Sequence, residues 1–270
     1  MLRALDELER YKVSATDGDL GRVLDFLFDD ERWAVRYLVV ETGTFFSGRK
    51  VLISPISFRE VDWSTHRFHL ALTTEKIRQS PRVDTDKPVS RQHEREYYNY
   101  YGYPYYWGPI GVWGMGPYPG LLAAGPCAGE APGKSEEATG DAHLRSAEEV
   151  RGYHLEGSDG AMGFVADFLV DDETWEVRYL VVDVGHWWEG QKVLVAPNWA
   201  SRVSWEDRKV FVNVSRAAVK NSPPWDRTRA TSREYEAMLH DHYGRRGYWV
   251  GGGIKEGEGD RPRHAERHPD

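Results

Sequence analysis

Cysteine is nearly missing from this 270-residue chain, the single copy being Cys127. One cysteine excludes a disulfide within the chain and every cysteine-rich metal site, and it suits a reducing compartment such as the cytoplasm. Long apolar runs are missing as well. No stretch approaches the roughly 20 residues a membrane-spanning helix needs, and Met1-Leu2-Arg3-Ala4-Leu5-Asp6-Glu7 lacks the apolar core of a signal peptide. Bases are outnumbered, with 35 Lys and Arg against 43 Asp and Glu and a formal net charge of −8. A nucleic-acid surface needs a basic stripe that releases counterions, and these interleaved charges form none, so nucleic acid is not an expected partner. The expectation is a cytoplasmic protein without a transmembrane segment, which meets a membrane only through a partner.

What the chain does contain is a repeat. Residues 11–102 realign on 153–244 without a gap, every pair separated by the same number of positions as Asp17 and Asp159. Asp25-Phe26-Leu27 matches Asp167-Phe168-Leu169, and Asp29-Asp30-Glu31 matches Asp171-Asp172-Glu173. Val35-Arg36-Tyr37-Leu38-Val39-Val40 recurs as Val177-Arg178-Tyr179-Leu180-Val181-Val182, and Gly21 matches Gly163. A repeat without gaps conserves loop lengths as well as strands, so the two copies should superpose. Two copies on one linker are a tandem duplication, not a solenoid, and each is long enough to bury its own core.

Within a copy, turn residues separate short β-rich runs. Gly18 after Asp17 supplies a tight turn, residues 23–28 carry apolar side chains on both faces, and residues 35–40 are apolar except at Arg36. That pattern belongs to a strand covered on both sides, and it predicts that Val35, Tyr37, Val39 and their equivalents Val177, Tyr179 and Val181 face a barrel interior. Asp29-Asp30-Glu31 reads as a solvated turn, because three adjacent acids cannot converge on one cation. Lys50-Val51-Leu52-Ile53 is ended by Pro55, residues 58–63 and 67–72 form a last hairpin, and residues 74–79 a helical turn halted by Pro81. Residues 90–101 and 232–243, free of Pro and Gly and followed by Gly102 and Gly244, read as helices. Thr231 with Glu234 predicts a capping box in the second. Their weak apolar faces predict loose packing. Residues 102–120 are rich in Tyr, Trp, Gly and Pro, and 121–141 are small and acidic, so extended or disordered chain is expected there.

These spacings place a first small β-barrel at 1–84, a helical appendage at 85–102, and a flexible linker, aromatic then acidic, at 103–145. A second barrel follows at 146–226, then a helical appendage at 227–244 and a disordered tail at 245–270. The order Asp-Gly-x-x-Gly-x-Val, Val-x-Tyr-Leu-Val-Val, Lys-Val-Leu-Ile-x-Pro, which copy one carries and copy two largely repeats, resembles the PRC-barrel family. That family is named for the cytoplasmic domain of the photosynthetic reaction-centre H subunit. The resemblance covers residues 8–84 and 150–226. It implies a mainly β chain of two tandem small PRC-type barrels that serve as docking surfaces without shared catalytic residues.

Candidate sites are few. Phe45-Phe46 and Trp187-Trp188 occupy matching hairpin positions between glycines and are candidate partner contacts, since paired aromatics supply contact area at low entropic cost. The other reading is that one ring of each pair closes a core. Tyr105, Tyr106 and Trp107 in the linker are further candidates, either for stacking on a partner or for lying against the barrels. His240 and His242 point to different sides of a helix and make a poor metal pair. His66 and His69 have Arg208 and Phe211 as counterparts, so no ancestral site is preserved there. No nucleophile elbow or phosphate loop is present. No catalytic residue, metal or cofactor is expected, and the leading expectation is a non-enzymatic scaffold that binds an unknown protein partner. Barrel pairing, within the chain or between chains, would make a pseudo-dimer. An alternative by analogy is a peripheral cytoplasmic-face component of a membrane electron-transfer assembly.

Overall fold

The computed structural model describes residues 1–43, 49–81, 89–107, 111–114, 116–120, 144–185, 191–229 and 231–250. The first half contributes strands β1 (Leu2–Ala4), β2 (Lys12–Ala15), β3 (Gly18–Asp29), β4 (Ala34–Thr42), β5 (Lys50–Ile53), β6 (Phe58–Asp62) and β7 (Arg67–Leu70). The second contributes β8 (Leu144–Ser146), β9 (His154–Gly157), β10 (Gly160–Asp171), β11 (Val177–Asp183), β12 (Lys192–Val195), β13 (Ala200–Ser204) and β14 (Lys209–Val212). Helices are few and short: α1 (Leu5–Leu8), α2 (Thr74–Arg78), α3 (Arg91–Tyr101), α4 (Ala147–Val150), α5 (Arg216–Lys220) and α6 (Arg233–His242). No helix among the described residues is long and apolar enough to cross a membrane.

The protein is mainly β, with two seven-stranded sheets. One follows the path β5-β4-β3-β2-β7-β6 and the other β12-β11-β10-β9-β14-β13, equivalent element for element. Pairing is antiparallel except for β2 with β7 and β9 with β14. The long strands β3 and β10 show two register shifts each against β4 and β11, at matching places, and one more each against β2 and β9. At Gly21 and Gly163 the backbone of the neighbouring strand comes so close that a Cβ would lie 1.9 Å from the Glu41 carbonyl oxygen and 2.2 Å from that of Asp183. Only glycine fits such an approach. Asp17 and Asp159 accept from the first backbone amides of α2 and α5, at Thr74 and Arg216 (2.7 Å each).

The seventh strand of each sheet comes from the other half. β1 pairs antiparallel with β10, and β8 with β3. The short helices that follow make the same crossing, α1 packing on β10 and α4 on β3. Sheet membership therefore does not follow the sequence-drawn boundaries at 1–84 and 146–226, because residues 2–4 complete the second sheet and 144–146 the first. Arg3 reaches Asp172 and covers Trp63, while Arg145 reaches Asp30 and covers Trp205. The solvated-turn reading of the acidic runs is thus corrected. Asp29 is buried in an ion pair with Arg36 (2.9 Å), and Asp30 and Asp172 receive the arginine of the exchanged strand.

A pseudo-two-fold axis runs through this junction. Ala34 bridges to its own equivalent Glu176, and Glu9 is ion-paired with its own equivalent Arg151 (2.5 Å). Val35 donates to the Trp175 carbonyl (2.8 Å) and Val177 to that of Trp33 (2.6 Å), with both tryptophans in the left-handed backbone region. Equivalent Asp25 and Asp167 lie buried beside it, Asp25 accepting from Ser146 and the Glu148 amide, Asp167 from the Asp6 amide and Arg151.

Val35, Tyr37, Val39, Val177, Tyr179 and Val181 are all buried. The barrel-interior assignment needs correcting, because the tyrosine hydroxyls meet Glu94 of α3 and Glu236 of α6, and Val39 and Val181, two residues on, share that face. A helix covers that face of each strand. The expected loose packing of the helices is overturned by the same contacts, since Glu94, Tyr97, Tyr98, Glu236, Leu239 and His240 are buried. The α6 N-cap is Ser232, which accepts from the Tyr235 amide, and not Thr231. Ser90 caps α3 in the same way, and Gly102 ends it in the left-handed region.

Candidate functional site

Each helix carries a buried glutamate that gathers the polar groups of its half. Glu94 accepts from the hydroxyls of Tyr37 (3.2 Å) and Tyr106 (2.6 Å) and pairs with Arg91 (3.0 Å). Burial raises its carboxyl above the ordinary range, against the opposing pull of Arg91 and the two hydroxyls. Arg36, whose position in β4 is otherwise apolar, sits beneath. Its guanidinium pairs with Asp29 on one side, and the rings of Tyr106 and Trp113 face it at 3.9 and 4.7 Å. Its Nε and Nη1 find no hydrogen bond, so the two ring faces add to the Asp29 ion pair in compensating this buried cation.

Trp113 is held there by a strap. Its indole Nε1 donates to the carbonyl of Thr174 in the other half (2.7 Å), and its amide donates to the Gly116 carbonyl (3.1 Å). Gly114 has a positive φ of 72°, and a Cβ there would lie 2.6 Å from the Tyr105 carbonyl oxygen, so the strap closes only with glycine at this position. Arg36, Tyr106 and Trp113 are consequently shut off from solvent.

The second half repeats this cluster. Glu236 accepts from Tyr179 (3.0 Å) and Tyr248 (2.8 Å) and pairs with Arg233 (3.0 Å), and Arg178 lies 4.2 Å from the Tyr248 ring. The repeat therefore continues past the helix, with Tyr106-Trp107 matching Tyr248-Trp249. The second cluster is open. Arg178 keeps 17% side-chain exposure where Arg36 has none, and Arg178 borders a cleft of about 670 Å³ at the junction of the halves. Its other walls include Arg32, Trp33, Asn198, Ala200, His240 and Tyr248. The opening follows from substitutions between the copies: Phe58 is replaced by Ala200, Ile56 by Asn198 and Tyr98 by His240. His240 is engaged at both ring nitrogens. Nδ1 donates to the Arg246 carbonyl (3.0 Å). Nε2 lies 3.0 Å from the Tyr179 hydroxyl, whose single proton is shared between Nε2 and Glu236, and burial lowers the pKa of His240, favouring the neutral ring.

The residues singled out from sequence are distributed unevenly. Phe45, Phe46, Trp187 and Trp188 lie outside the described residues. Tyr106 is buried in the Glu94 cluster, which corrects its reading as a partner contact. Tyr105 and Trp107 are half-buried, stacked on one another at 4.5 Å and packed against Tyr98. The stretch expected to be extended or disordered thus contains chain folded onto the first half at 103–107 and 111–114. Its aromatics bury themselves over Arg36, which no periodicity announces. Sequence reasoning missed Arg178, Glu236 and Tyr248, although the Tyr-Trp pair repeated at the right spacing marked them. Among the described residues no cluster of three or more His, Cys, Asp or Glu is placed to hold a metal ion. Comparison with known proteins finds no family model and no curated protein that matches the chain.

Proposed function

We propose that this chain is a non-enzymatic binding protein made of two PRC-barrel-type modules that act as one platform for another protein. The observation that carries this reading is the reciprocal exchange of β1 and β8, which welds two equivalent sheets into one body. Equivalent elements are then held at pseudo-two-fold related places, among them β4 with β5 and β11 with β12, between which the sequence places Phe45-Phe46 and Trp187-Trp188. A partner that engages both copies meets one body, so the binding energy of the second contact is not spent on bringing the modules together. The engagement of both His240 nitrogens within the fold favours recognition over acid–base chemistry in the junction cleft. The motif order supports the PRC assignment, the acidic balance supports a protein partner over nucleic acid, and the lone cysteine a cytoplasmic setting.

The test is affinity capture with the full chain and with the double variant Phe46→Ser, Trp188→Ser. A partner identified with the parent chain should be lost with the variant, while stability changes by no more than about 1 kcal/mol, as for surface substitutions. Retention of the partner together with a large loss of stability would mean that these rings are core and the platform reading is wrong.

A further inference from the structure

The two halves differ where symmetry would make them alike, and the filled half serves as a template for the open one. In the first half an indole, that of Trp113, covers Arg36 beside Tyr106 and donates to the backbone of Thr174 across the junction. The repeat equivalents of Arg36, Tyr106 and Thr174 are Arg178, Tyr248 and Arg32, and all three border the cleft. The cleft is therefore the symmetry image of the Trp113 seat. Arg178 is ion-paired with Glu176 (2.5 Å) and donates to the Thr174 hydroxyl (3.3 Å), as Arg36 is ion-paired with Asp29. Its buried Nε nevertheless has no hydrogen-bond partner, and Tyr248 is the one ring over its guanidinium among the described residues. The repeat position matching Trp113 is Lys255, and residues 251–270 contain no Trp, Tyr or Phe, so the following segment has no indole to supply. Ala200 and Asn198, in place of Phe58 and Ile56, widen the space to about 670 Å³, within the range of preformed ligand sites.

We infer that this cleft is the seat for a tryptophan side chain presented by a partner protein, its indole packed on the Arg178 guanidinium beside Tyr248. The ring face covers the cation as Trp113 covers Arg36, and the partner's strand of chain crosses the junction where the first half's own strap does. The inference gives a partner chemistry to the binding reading above but uses none of the hairpin contacts.

The probe is a synthetic peptide with the sequence of residues 111–116, Gly-Val-Trp-Gly-Met-Gly, titrated into the isotope-labelled full chain and followed by nuclear magnetic resonance. Saturable one-to-one binding with a dissociation constant of roughly 1 mM or tighter is expected, with shifts centred on Arg178, Tyr248 and Ala200. The same peptide with alanine for tryptophan should not bind. Arg178→Ala should weaken binding about tenfold or more. Asn198→Trp, at an exposed rim position, should block it while the melting temperature of the chain stays unchanged. Absence of binding, equal binding of the alanine peptide, or binding that appears only after removal of 251–270 would overturn the inference. N-acetyltryptophanamide binding as tightly as the peptide would assign the seat to a free indole compound and overturn the partner assignment. A failed peptide leaves the Phe46 and Trp188 reading standing, and a failed hairpin variant leaves the cleft result standing.

Discussion

Two equivalent aspartates at the junction, Asp25 and Asp167, keep different company. Asp25 accepts from the Ser146 hydroxyl (2.6 Å) and from the amides of Glu148 (3.0 Å) and Phe26 (2.7 Å). Asp167 accepts at Oδ1 from the Asp6 amide and Arg151, while its Oδ2 has no hydrogen-bond partner and faces only the Arg227 guanidinium at 3.8 Å. Burial pushes the Asp167 carboxyl up to about 7, with the Phe168 amide and Arg151 pulling only partly against it. A carboxyl with a folded value above its ordinary 3.8 keeps a proton that the unfolded chain has already released. Its contribution to stability therefore falls as pH rises from about 4 to about 7 and is level above that. Asp167→Asn cannot ionise, so the stability of the parent relative to this variant should drop by up to roughly 4 kcal/mol between pH 4 and 8. Paired chemical denaturation series across that interval measure the difference, and a constant difference would mean that Asp167 is ionised throughout. His240 runs the other way, since its lowered value costs stability as pH falls. That is why the difference between parent and variant is the informative quantity.

At the scale of elements, much of each sheet was legible, and the exchange was not. The runs at 35–40 and 50–53 are strands because apolar residues flank them on both faces, and β4 and β5 fall on them. Leu2–Ala4 and Leu144–Ser146 are too short to show a period, and nothing in a three-residue strand says which sheet it joins. The clue was faint but present, since Leu2-Arg3 and Leu144-Arg145 extend the repeat backwards. The site was less legible still. The Glu94 and Glu236 clusters lie in the repeat, but the cleft exists through differences such as Phe58 against Ala200, which a search for what recurs passes over. Exchange has a measurable consequence. Removing residues 1–9 takes away β1, the buried Leu5 and Leu8 of α1, and the Asp6 amide bonded to Asp167. The truncated chain should lose roughly 3–6 kcal/mol, the burial of two leucines. Amide exchange should accelerate along residues 168–171 of β10, in the half that was not truncated. Faster exchange confined to β3 would show that β1 serves its own half.

For the whole molecule, duplication has one chemical advantage over a homodimer of single modules. On a true two-fold axis a residue meets itself, so position 9 would set glutamate against glutamate and position 151 arginine against arginine. In one chain with two diverged copies Glu9 meets Arg151, and Arg151 also reaches Asp167 (3.4 Å). Arg227 of the second half adds bonds to Asp6 and to Glu7 (3.1 Å) of the first. Fragments 1–120 and 144–250, expressed separately, each lack the strand that the other provides and should pair by exchange. Mixed in equal amounts they should form the mixed pair well above the half expected by chance. An ion pair worth up to about 1 kcal/mol replaces like-charge contacts that cost similar amounts in both homodimers. Native mass spectrometry of the mixture counts the species directly. Glu9→Arg in the first fragment should erase the preference, since the mixed pair then carries the same repulsion as the homodimers. Fragments that remain folded monomers would show instead that the exchanged strands are dispensable, and that the two halves are joined by the linker alone.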